Sequence, residues 1–353
     1  MAIERDRAEI LSGVRHGRTI GSPIALKIDN RDWTNWQHSM AVGQPADDLP
    51  GARRAAVTRP RPGHADLAGG VKFDRDDLRD VLERASARET AGRVAAGAIA
   101  RQILSALGIE IASHVTGIGG AVVTDPSAVS FERAKAIAWD DEIHCADPKF
   151  ADAMKGAIDA AKEAGDTVGG TFEVIVHGVP AGLGSYTTWD RKLDGKLAQA
   201  LMSIHAIKSV GIGLGHDAGL RPGSQVHDEI VKADNSGPTG TLPGLSRPTN
   251  RAGGLEGGVT NGEDVRVTAA MKPISTLMKP LRSVDLTTMD ESPAAIERSD
   301  VCAVPAAAVV GEAMVAFVLA EAMLEKFGGD TIDDTQAALA HYTSRIARRL
   351  SKR

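Results

Sequence analysis

The sequence predicts an α+β protein that forms a single domain over residues 1–353. Three observations support this: long Ala-rich helical segments, strand patterns suited to pairing, and the absence of a Pro- or Ser-rich linker. Hydrophobic residues make up 42% of the chain and charged residues 25%, which is an ordinary globular composition. A chain of this length can bury a sizeable core.

The N-terminal part of the chain predicts short elements and a long loop. The opening "RAEILSGVRHG" predicts a short helix and a glycine-marked turn, followed by a strand around Ile24–Ile28. Residues 32–62 are rich in Pro, Gly, Asp and Arg and show no period, so they predict a loop of a length that is commonly functional. The Ala-rich stretch that follows predicts helix, with a break near Ala85–Ser86.

Strands are predicted in the middle of the chain. The segments "IEIASHVTGIGG" and "GTFEVIVHGVPAG" are predicted to form a strand pair, and strand alternation is plain in "EDVRVTAAMKP". The residues that separate the first two strands predict helix, most clearly over Lys155–Gly165.

Three further helices are predicted. The segment Lys196–Lys208 places its apolar residues on one face. An apolar helix is predicted from about Ala306 to Phe327; Glu312 and Glu321 interrupt it, so we expect a buried helix rather than a membrane span. The chain then ends in an amphipathic helix with a basic tail that suits a helix C-terminus.

Charge and composition exclude several classes of function. The net charge is −5 and aromatic residues make up 3% of the chain, so we expect no nucleic-acid partner. Cys145 and Cys302 make neither a disulfide framework nor a metal quartet, which favours a cytoplasmic protein. The charged N-terminal residues lack the apolar segment of a signal peptide, so we expect none in this stretch. The sequence contains no His, Cys, Asp or Glu set at the spacing of metal ligands, so we expect no metal site. It also contains no Walker loop and no GxSxG elbow.

Four clusters of residues are candidates for chemistry. The first comprises Arg59, Arg61, His64 and Asp66 in a loop stiffened by two prolines and bent at Gly63. Arginines disfavour the cationic form of a nearby histidine, unless a bound anion offsets their positive charge and favours that form. A solvated loop with a structural turn is the alternative.

The second cluster is "ERASARET". Ser86 and Glu89 match the capping-box pattern, so Ser86 is a candidate N-cap for the helix that follows. With Arg84 and Arg88 nearby, the free backbone N–H groups there would bind an anion. The alternative is a well-capped helix that carries solvated arginines.

The third and fourth clusters lie in the C-terminal half. The glycines of "TNRAGGLEGG" permit close approach of the backbone to a ligand, and the alternative is a mobile surface loop. Arg298, Ser299 and Asp300 precede the apolar helix and form either the edge of an active site or an ordinary helix cap. Outside these clusters, His177 is expected to close a strand and His205 to pack on a helix.

Taken together, these segments resemble the chorismate synthase family, and the match runs along most of the chain in order and spacing. The matching segments are "ILSGVRHGRTIGSPIALKIDN", "RPGHAD", "SARET", "GVPAGLG", "DRKLD", "GSQVHDEI", "NRAGGLEGG", "MKPIST" and "RSD".

The resemblance implies a fold and a reaction. The fold is a sandwich of helices between antiparallel β-sheets, assembled as a homotetramer. The reaction is an anti-1,4-elimination of phosphate from 5-enolpyruvylshikimate 3-phosphate to give chorismate. It requires reduced FMN, with NADPH only as a possible flavin reductant. Several arginines suit a substrate with two carboxylates and a phosphate.

The resemblance also implies roles for single residues. His64 matches the histidine that stabilises the reduced flavin, and Asp300 matches the carboxylate that assists removal of the C6 proton. Arg61 and Arg88 match substrate-anion arginines. Flavin contacts are implied for Arg84, Ala85, Ser86, His205, Ala206, Gly257, Lys272, Pro273, Ile274, Ser275, Thr276 and Arg298.

The sequence departs from the family pattern in two respects. Ala85 and His205 stand where the family often has Ser and Asn, a change that a backbone contact would survive. The family's N-terminal block, with a Gly-Glu-Ser-His-Gly segment that carries a second catalytic histidine, has no counterpart before "RAEILSGVRHG". The simplest explanation is that Met1 is an internal methionine of a longer chain; if instead the chain is read as written, we expect weak or absent turnover. The alternative function is a non-catalytic flavin- or anion-binding remnant.

Overall fold

The computed structural model describes residues 6–43, 56–233, 242–297 and 299–351. The chain groups into two compact units. Unit 1 comprises Met1–Ala95 and Ser275–Asp300, and unit 2 comprises Ala96–Ile274 and Val301–Arg353. The prediction of one domain over residues 1–353 stays a prediction.

Helices and antiparallel strands alternate along the chain, which confirms the α+β prediction. The helices of the described residues are α1 (Trp33–Trp36), α2 (Asp66–Phe73), α3 (Arg79–Arg84), α4 (Thr90–Ala106), α5 (Phe131–Lys135), α6 (Pro148–Ala164), α7 (Leu193–Met202), α8 (Val304–Phe327) and α9 (Ile332–Leu350). The strands are β1 (Ala8–Ile10), β2 (Val14–Arg15), β3 (Arg18–Thr19), β4 (Leu26–Ile28), β5 (Glu110–Ile118), β6 (Ala121–Val122), β7 (Gly170–His177), β8 (Ile207–Ile212), β9 (Val231–Lys232), β10 (Leu245–Ser246), β11 (Leu255–Glu256), β12 (Val259–Thr260), β13 (Val265–Met271), β14 (Arg282–Val284) and β15 (Glu291–Pro293).

Unit 2 is built on a five-stranded antiparallel sheet with the order β6–β5–β7–β13–β8. The predicted pairing of the strands now numbered β5 and β7, and the predicted strand β13, are confirmed. β7 ends at His177, as expected. Most residues of these three central strands are buried, so the sheet supplies the core of the unit.

α8 packs closely on this sheet. A Cβ atom added at Gly311 would lie 2.7 Å from the Phe172 ring, and one at Gly97 of α4 would lie 2.5 Å from the Cβ of Ala313, so both glycines allow close approach of α8 to its neighbours. By length and composition α8 could cross a membrane, but 72% of its most apolar window is buried inside the protein. The prediction of a buried helix is confirmed.

The other predicted helices of unit 2 are present with shifted ends. α6 ends at the left-handed Gly165, and α9 begins with a capping box formed by Thr331 and Asp334. α7, however, ends at Met202, so the prediction that its helix carries His205 is wrong. The apolar periodicity continued past Met202 because residues of the following turn and of β8 enter the same core.

Unit 1 is made of short hairpins and short helices. The predicted opening helix is wrong: Ala8–Ile10 forms β1, which pairs antiparallel with β4. Pairing with a distant strand here overrides the local helical preference. The predicted strand near Ile24–Ile28 is present as β4, and the helix break near Ala85–Ser86 separates α3 from a short 3₁₀ turn that leads into α4.

Candidate active site

The "RPGH" segment of unit 1 forms a tight turn. The His64 backbone N–H donates to the Arg61 carbonyl at 3.2 Å, and Gly63 has φ of 80°. Proline at the second position and glycine with positive φ at the third are typical of a type II turn. The turn therefore returns His64 to the side of Arg61, and α2 begins two residues later at Asp66.

The chain before this turn is held by the hairpin β14–β15 and its flanks. The Leu286 N–H donates to the Thr58 carbonyl at 3.0 Å, and the Ala295 N–H donates to the Arg59 carbonyl at 3.2 Å. The end of the long predicted loop is thus fixed at several backbone positions, and the alternative of a merely solvated loop is wrong for this part of it. Residues 44–55 lie outside the described residues.

Arg61, His64 and Asp66 form one hydrogen-bonded cluster, which we call the RHD cluster. Arg61 Nε donates to Asp66 Oδ2 at 2.8 Å, and Arg61 Nη2 donates to Asp66 Oδ1 at 3.1 Å. His64 Nδ1 lies 2.5 Å from the same Asp66 Oδ1. Arg61 Nη1 donates to the Thr276 hydroxyl at 2.9 Å. The side chain of Asp66 is fully buried, whereas that of His64 is 20% exposed.

Asp66 is held as a carboxylate. Burial would raise the pKa of Asp66, but hydrogen bonds from His64 and Arg61 together outweigh burial and hold the pKa well below its ordinary value. The cluster therefore carries a fixed negative charge between a guanidinium and an imidazole.

Arg61, which the resemblance implies to be a substrate arginine, is deeply placed. Its side chain is 7% exposed, and its guanidinium nitrogens donate to Asp66 and Thr276. The observed contacts of Arg61 hold the turn together. A contact with substrate stays a prediction.

The "SARET" segment lies at the start of α4. Ser86 Oγ accepts from the Arg88 N–H at 3.3 Å, so the predicted cap is confirmed for the 3₁₀ turn that leads into α4. The Arg88 guanidinium pairs with Asp6, and Nη2 also donates to the Asp29 carbonyl at 3.4 Å. Arg84 is exposed at the end of α3, and Ala85 is its C-cap.

Two segments with predicted flavin contacts meet within unit 2. The Lys272 N–H donates to the Ala206 carbonyl at 2.9 Å, and Ala206 adopts φ of 64° in the turn that also contains His205. In the pairing of β13 with β8, Met271 lies opposite Ile207 and Ala270 opposite Ser209, so Lys208 is the bulged residue. Bulges re-aim side chains and are frequent beside active sites.

Lys208 adds a positive charge that the sequence analysis did not single out. Burial, and after it the charge of Lys208, lower the pKa of Lys272. The position of Lys208 in a bulge could not be predicted from the strand pattern, because only the register of β8 against β13 shows it.

The rest of the "KPIST" segment runs on from Lys272. Pro273 is exposed, and the Ile274 carbonyl accepts from the Thr167 hydroxyl at 2.7 Å within unit 2. Ser275 and Thr276 belong to unit 1, where buried Thr276 contacts Arg61.

The glycine-rich segment is a packed hairpin. Gly257 and Gly258 join β11 to β12 with φ of 63° and 88°, as a two-residue type I′ turn requires. Added Cβ atoms at Gly253 and Gly254 would lie 2.3 Å and 2.5 Å from backbone atoms, so the alternative of a mobile loop is not supported. At Gly257, however, an added Cβ atom would meet nothing within 4 Å. Gly257 therefore faces open space, as a backbone contact with a ligand requires.

The "RSD" segment precedes α8. Asp300 and Ser299 are exposed, and Arg298 lies outside the described residues. The N-cap of α8 is Ala303, and it makes no side-chain cap hydrogen bond, so the cap interpretation of Ser299 and Asp300 is wrong. The carboxylate of Asp300 is therefore not used to start the helix.

The comparisons with known proteins agree with one another. A family model described as chorismate synthase matches residues 1–324. Chorismate synthase of Moorella thermoacetica is 59% identical over 97% of this chain and 85% of its own length, and that of Geobacter sulfurreducens is 55% identical over 95% and 84%. A crystal structure of chorismate synthase is 42% identical, covers 97% of this chain and 85% of its own, and superposes with a TM-score of 0.75. This chain therefore belongs to the chorismate synthase family.

Proposed function

We propose that this chain converts 5-enolpyruvylshikimate 3-phosphate to chorismate and phosphate, as a carbon–oxygen lyase of the shikimate pathway and aromatic amino acid biosynthesis. The observation that carries the proposal is identity above 50% to proteins named chorismate synthase over almost the whole chain. The same identity gives no support to the alternative of a non-catalytic remnant.

The reaction sets the tasks of the site. The C6–H bond and the C3–O bond to phosphate both break, a new C=C bond forms, and the products are chorismate and inorganic phosphate with no net redox change. The site must accept a proton from C6 and stabilise the departing phosphate. General acid–base help of this kind is worth about 10²–10⁴-fold in rate.

We assign stabilisation of the reduced flavin to His64 and help with removal of the C6 proton to Asp300. His64 has a partly exposed ring whose Nδ1 contacts the Asp66 carboxylate, so it can hold or release a proton on the other nitrogen. Asp300 has an exposed carboxylate, which suits a group that assists removal of the C6 proton. Arg61 and Arg88 are assigned to the substrate anions.

The proposed cofactor is reduced FMN, and the residues present suit it in charge and shape. Lys272, with Lys208 beside it, provides positive charge for the flavin phosphate, and Gly257 faces open space. When bound, reduced FMN supplies an electron-rich ring system for the elimination. The remaining proposed contacts are Arg84, Ala85, Ser86, His205, Ala206, Pro273, Ile274, Ser275, Thr276 and Arg298.

The broader biology is part of the same proposal. We propose a cytoplasmic homotetramer without nucleic-acid or membrane partners, in which NADPH serves only as a possible reductant of the flavin. Bacterial relatives that are biosynthetic enzymes support the cytoplasmic location.

An anaerobic assay tests the function. The purified chain is mixed with photoreduced FMN and 5-enolpyruvylshikimate 3-phosphate, and chorismate and phosphate are measured together. We expect both products in equal amounts, and none with oxidised FMN under air. A second polypeptide, extended upstream of Met1 by the preceding codons, is assayed in parallel. Absence of both products from both polypeptides would reject the proposed reaction.

A binding experiment tests the cofactor separately. Fluorescence titration compares FMN with riboflavin, which lacks the phosphate. We expect FMN to bind more tightly than riboflavin, and Arg298→Ala to weaken FMN binding. Equal affinities for the two flavins would contradict a phosphate subsite at the lysines.

A further inference from the structure

His64 meets two charged groups in the described part of the chain, and only one of them can accept a proton. Asp66 Oδ1 lies 2.5 Å from His64 Nδ1, and Arg61 Nη2 lies 3.0 Å from the same nitrogen. A guanidinium has donors and no acceptor. Because Asp66 is a buried carboxylate bound by Arg61, it acts as an acceptor only.

These contacts determine which ring nitrogen carries the hydrogen. A carboxylate at 2.5 Å requires a donor, so Nδ1 is protonated and donates to Asp66. The short approach of Arg61 Nη2 to Nδ1 is then a contact between two donors that share Asp66 Oδ1, which Arg61 Nη2 also reaches at 3.1 Å. The remaining nitrogen, Nε2, is left without a hydrogen in the neutral ring.

Nε2 is available to a ligand. Arg61 Nη2 lies 3.4 Å from His64 Nε2, which is close to the outer limit for a hydrogen bond. The same Arg61 nitrogen already donates to Asp66 Oδ1. The His64 side chain is 20% exposed, whereas Asp66 is fully buried, so the imidazole is the member of the pair that solvent reaches.

The geometry points to Asp66 as a positioning residue: its carboxylate holds His64 in the Nδ1–H form, so that Nε2 is the atom presented to the reacting groups. The catalytic use of Nε2 rests on the proposed function, but the tautomer does not. In serine proteases a buried aspartate that orients a histidine has the same task, and its amide variant leaves the wrong tautomer.

Arg61 supports this arrangement from the buried side. Its backbone N–H and its Nε both donate to Asp66 Oδ2, at 3.1 Å and 2.8 Å, so that Oδ1 is shared by His64 Nδ1 and Arg61 Nη2. Arg61 also donates to Thr276, so the guanidinium is fixed from two sides. The carboxylate is therefore orientated before any ligand binds.

Nitrogen-15 NMR of the histidine rings in the full chain tests the tautomer. The His64 signals are identified by their loss in His64→Gln. At neutral pH we expect His64 to carry its hydrogen on Nδ1, and Asp66→Asn to shift the ring towards the Nε2–H form, because an amide can donate to Nδ1. Asp66→Glu should restore part of the Nδ1–H signal.

Turnover supplies the second readout. We expect kcat of Asp66→Asn to fall about 10²-fold with little change in the KM for substrate, because His64 then presents the wrong ring nitrogen while the substrate-binding groups remain. Ser283→Ala is the matched control: it removes a hydroxyl that donates to the Pro60 carbonyl beside the same turn, leaves the hydrogen bonds of His64 and Asp66 in place, and should keep both the tautomer and most of kcat.

The outcomes separate this inference from the proposed function. An Nε2–H ring in the unmodified protein, or an unchanged tautomer and kcat in folded Asp66→Asn, overturns the inference. If Asp66→Asn fails to fold, the spectrum of the unmodified protein still decides the tautomer. An Nδ1–H ring in a protein without lyase activity rejects the proposed function and leaves the positioning intact.

Discussion

Each unit of the molecule holds a cluster of an arginine, a carboxylate and a histidine. The two clusters differ in whether the histidine is sealed from solvent or partly exposed to it. In unit 2, Arg266, Glu173 and His114 lie on the neighbouring strands β13, β7 and β5. Arg266 Nε donates to Glu173 Oε1 at 3.0 Å, and His114 Nε2 lies 3.1 Å from Glu173 Oε2. The His114 side chain is fully buried.

The RHD cluster of unit 1 uses the same three kinds of side chain on different backbone. Its carboxylate begins a helix, its arginine and histidine flank a tight turn, and the histidine side chain is 20% exposed. A sheet interior seals its members against ligands, whereas a turn beside a helix start leaves one member at the surface. The comparison teaches that burial of the imidazole, rather than the residue types, separates a structural cluster from a candidate catalytic one.

The largest expected effect comes from breaking the sealed cluster. Glu173→Gln leaves Arg266 buried without its ionic partner, and breaking a buried pair in this way costs about 3–5 kcal/mol in the free energy of unfolding. Urea unfolding measures it. Glu110→Gln, which breaks an exposed pair with Lys135, is the control and should cost far less, because solvent screens that pair. Equal losses in the two variants would contradict the account of the sealed cluster.

A smaller effect is expected from the turn that opens the RHD cluster. Gly63→Ala places a Cβ atom at a φ of 80°, which costs about 1–2 kcal/mol, and it should also lower kcat by displacing His64. Gly92→Ala is the control, because Gly92 lies within α4 and an added Cβ atom there meets nothing within 4 Å. Urea unfolding should show the control to be more stable than the unmodified chain, by up to about 1 kcal/mol. An unchanged free energy of unfolding and an unchanged kcat in Gly63→Ala would show that the turn needs no glycine.

The buried carboxylate of the RHD cluster predicts a pH dependence of stability. The pKa of Asp66 is lowered in the folded state, so its contribution is present above the unfolded value of about 3.9 and is lost as pH falls towards the folded pKa. The difference in free energy of unfolding between the unmodified chain and Asp66→Asn should therefore narrow from about pH 6 to about pH 3. A constant difference across this interval would mean that folding does not lower the pKa of Asp66.

The smallest expected effect concerns the lysines of unit 2. Burial and the charge of Lys208 lower the pKa of Lys272, so Lys208→Met should raise that pKa part of the way towards its ordinary value. NMR titration of the Lys272 side-chain amine measures it. Lys232→Met, on β9, is the control and should leave the titration of Lys272 in place. An unmoved pKa in Lys208→Met would place the two ammonium groups too far apart to share a phosphate.

The sequence alone was sufficient to predict the elements that a local hydrophobic pattern marks. β5, β7, β13 and α8 were predicted because alternation or continuous apolar character marks them directly. β1 was missed, because its identity depends on pairing with β4 across an intervening hairpin.

The candidate site was predictable to a similar extent. "RPGHAD" indicated a stiff loop with a histidine, and Asp66 two residues after His64 was the visible signal of the RHD cluster. That Arg61 points inwards to Asp66 and Thr276 depends on a long-range contact and could not be read from spacing. The bulge at Lys208 likewise requires the register of two strands.

The central claim is that the solvent-reaching histidine of the RHD cluster, His64, is a catalytic residue of the proposed chorismate synthase reaction. Its most direct test is anaerobic turnover of His64→Ala with reduced FMN and 5-enolpyruvylshikimate 3-phosphate, measured on whichever of the two polypeptides is active, together with urea unfolding. We predict that turnover falls about 10²–10⁴-fold while the unfolding midpoint stays close to that of the unmodified chain. Unchanged turnover in a folded His64→Ala variant would contradict the claim.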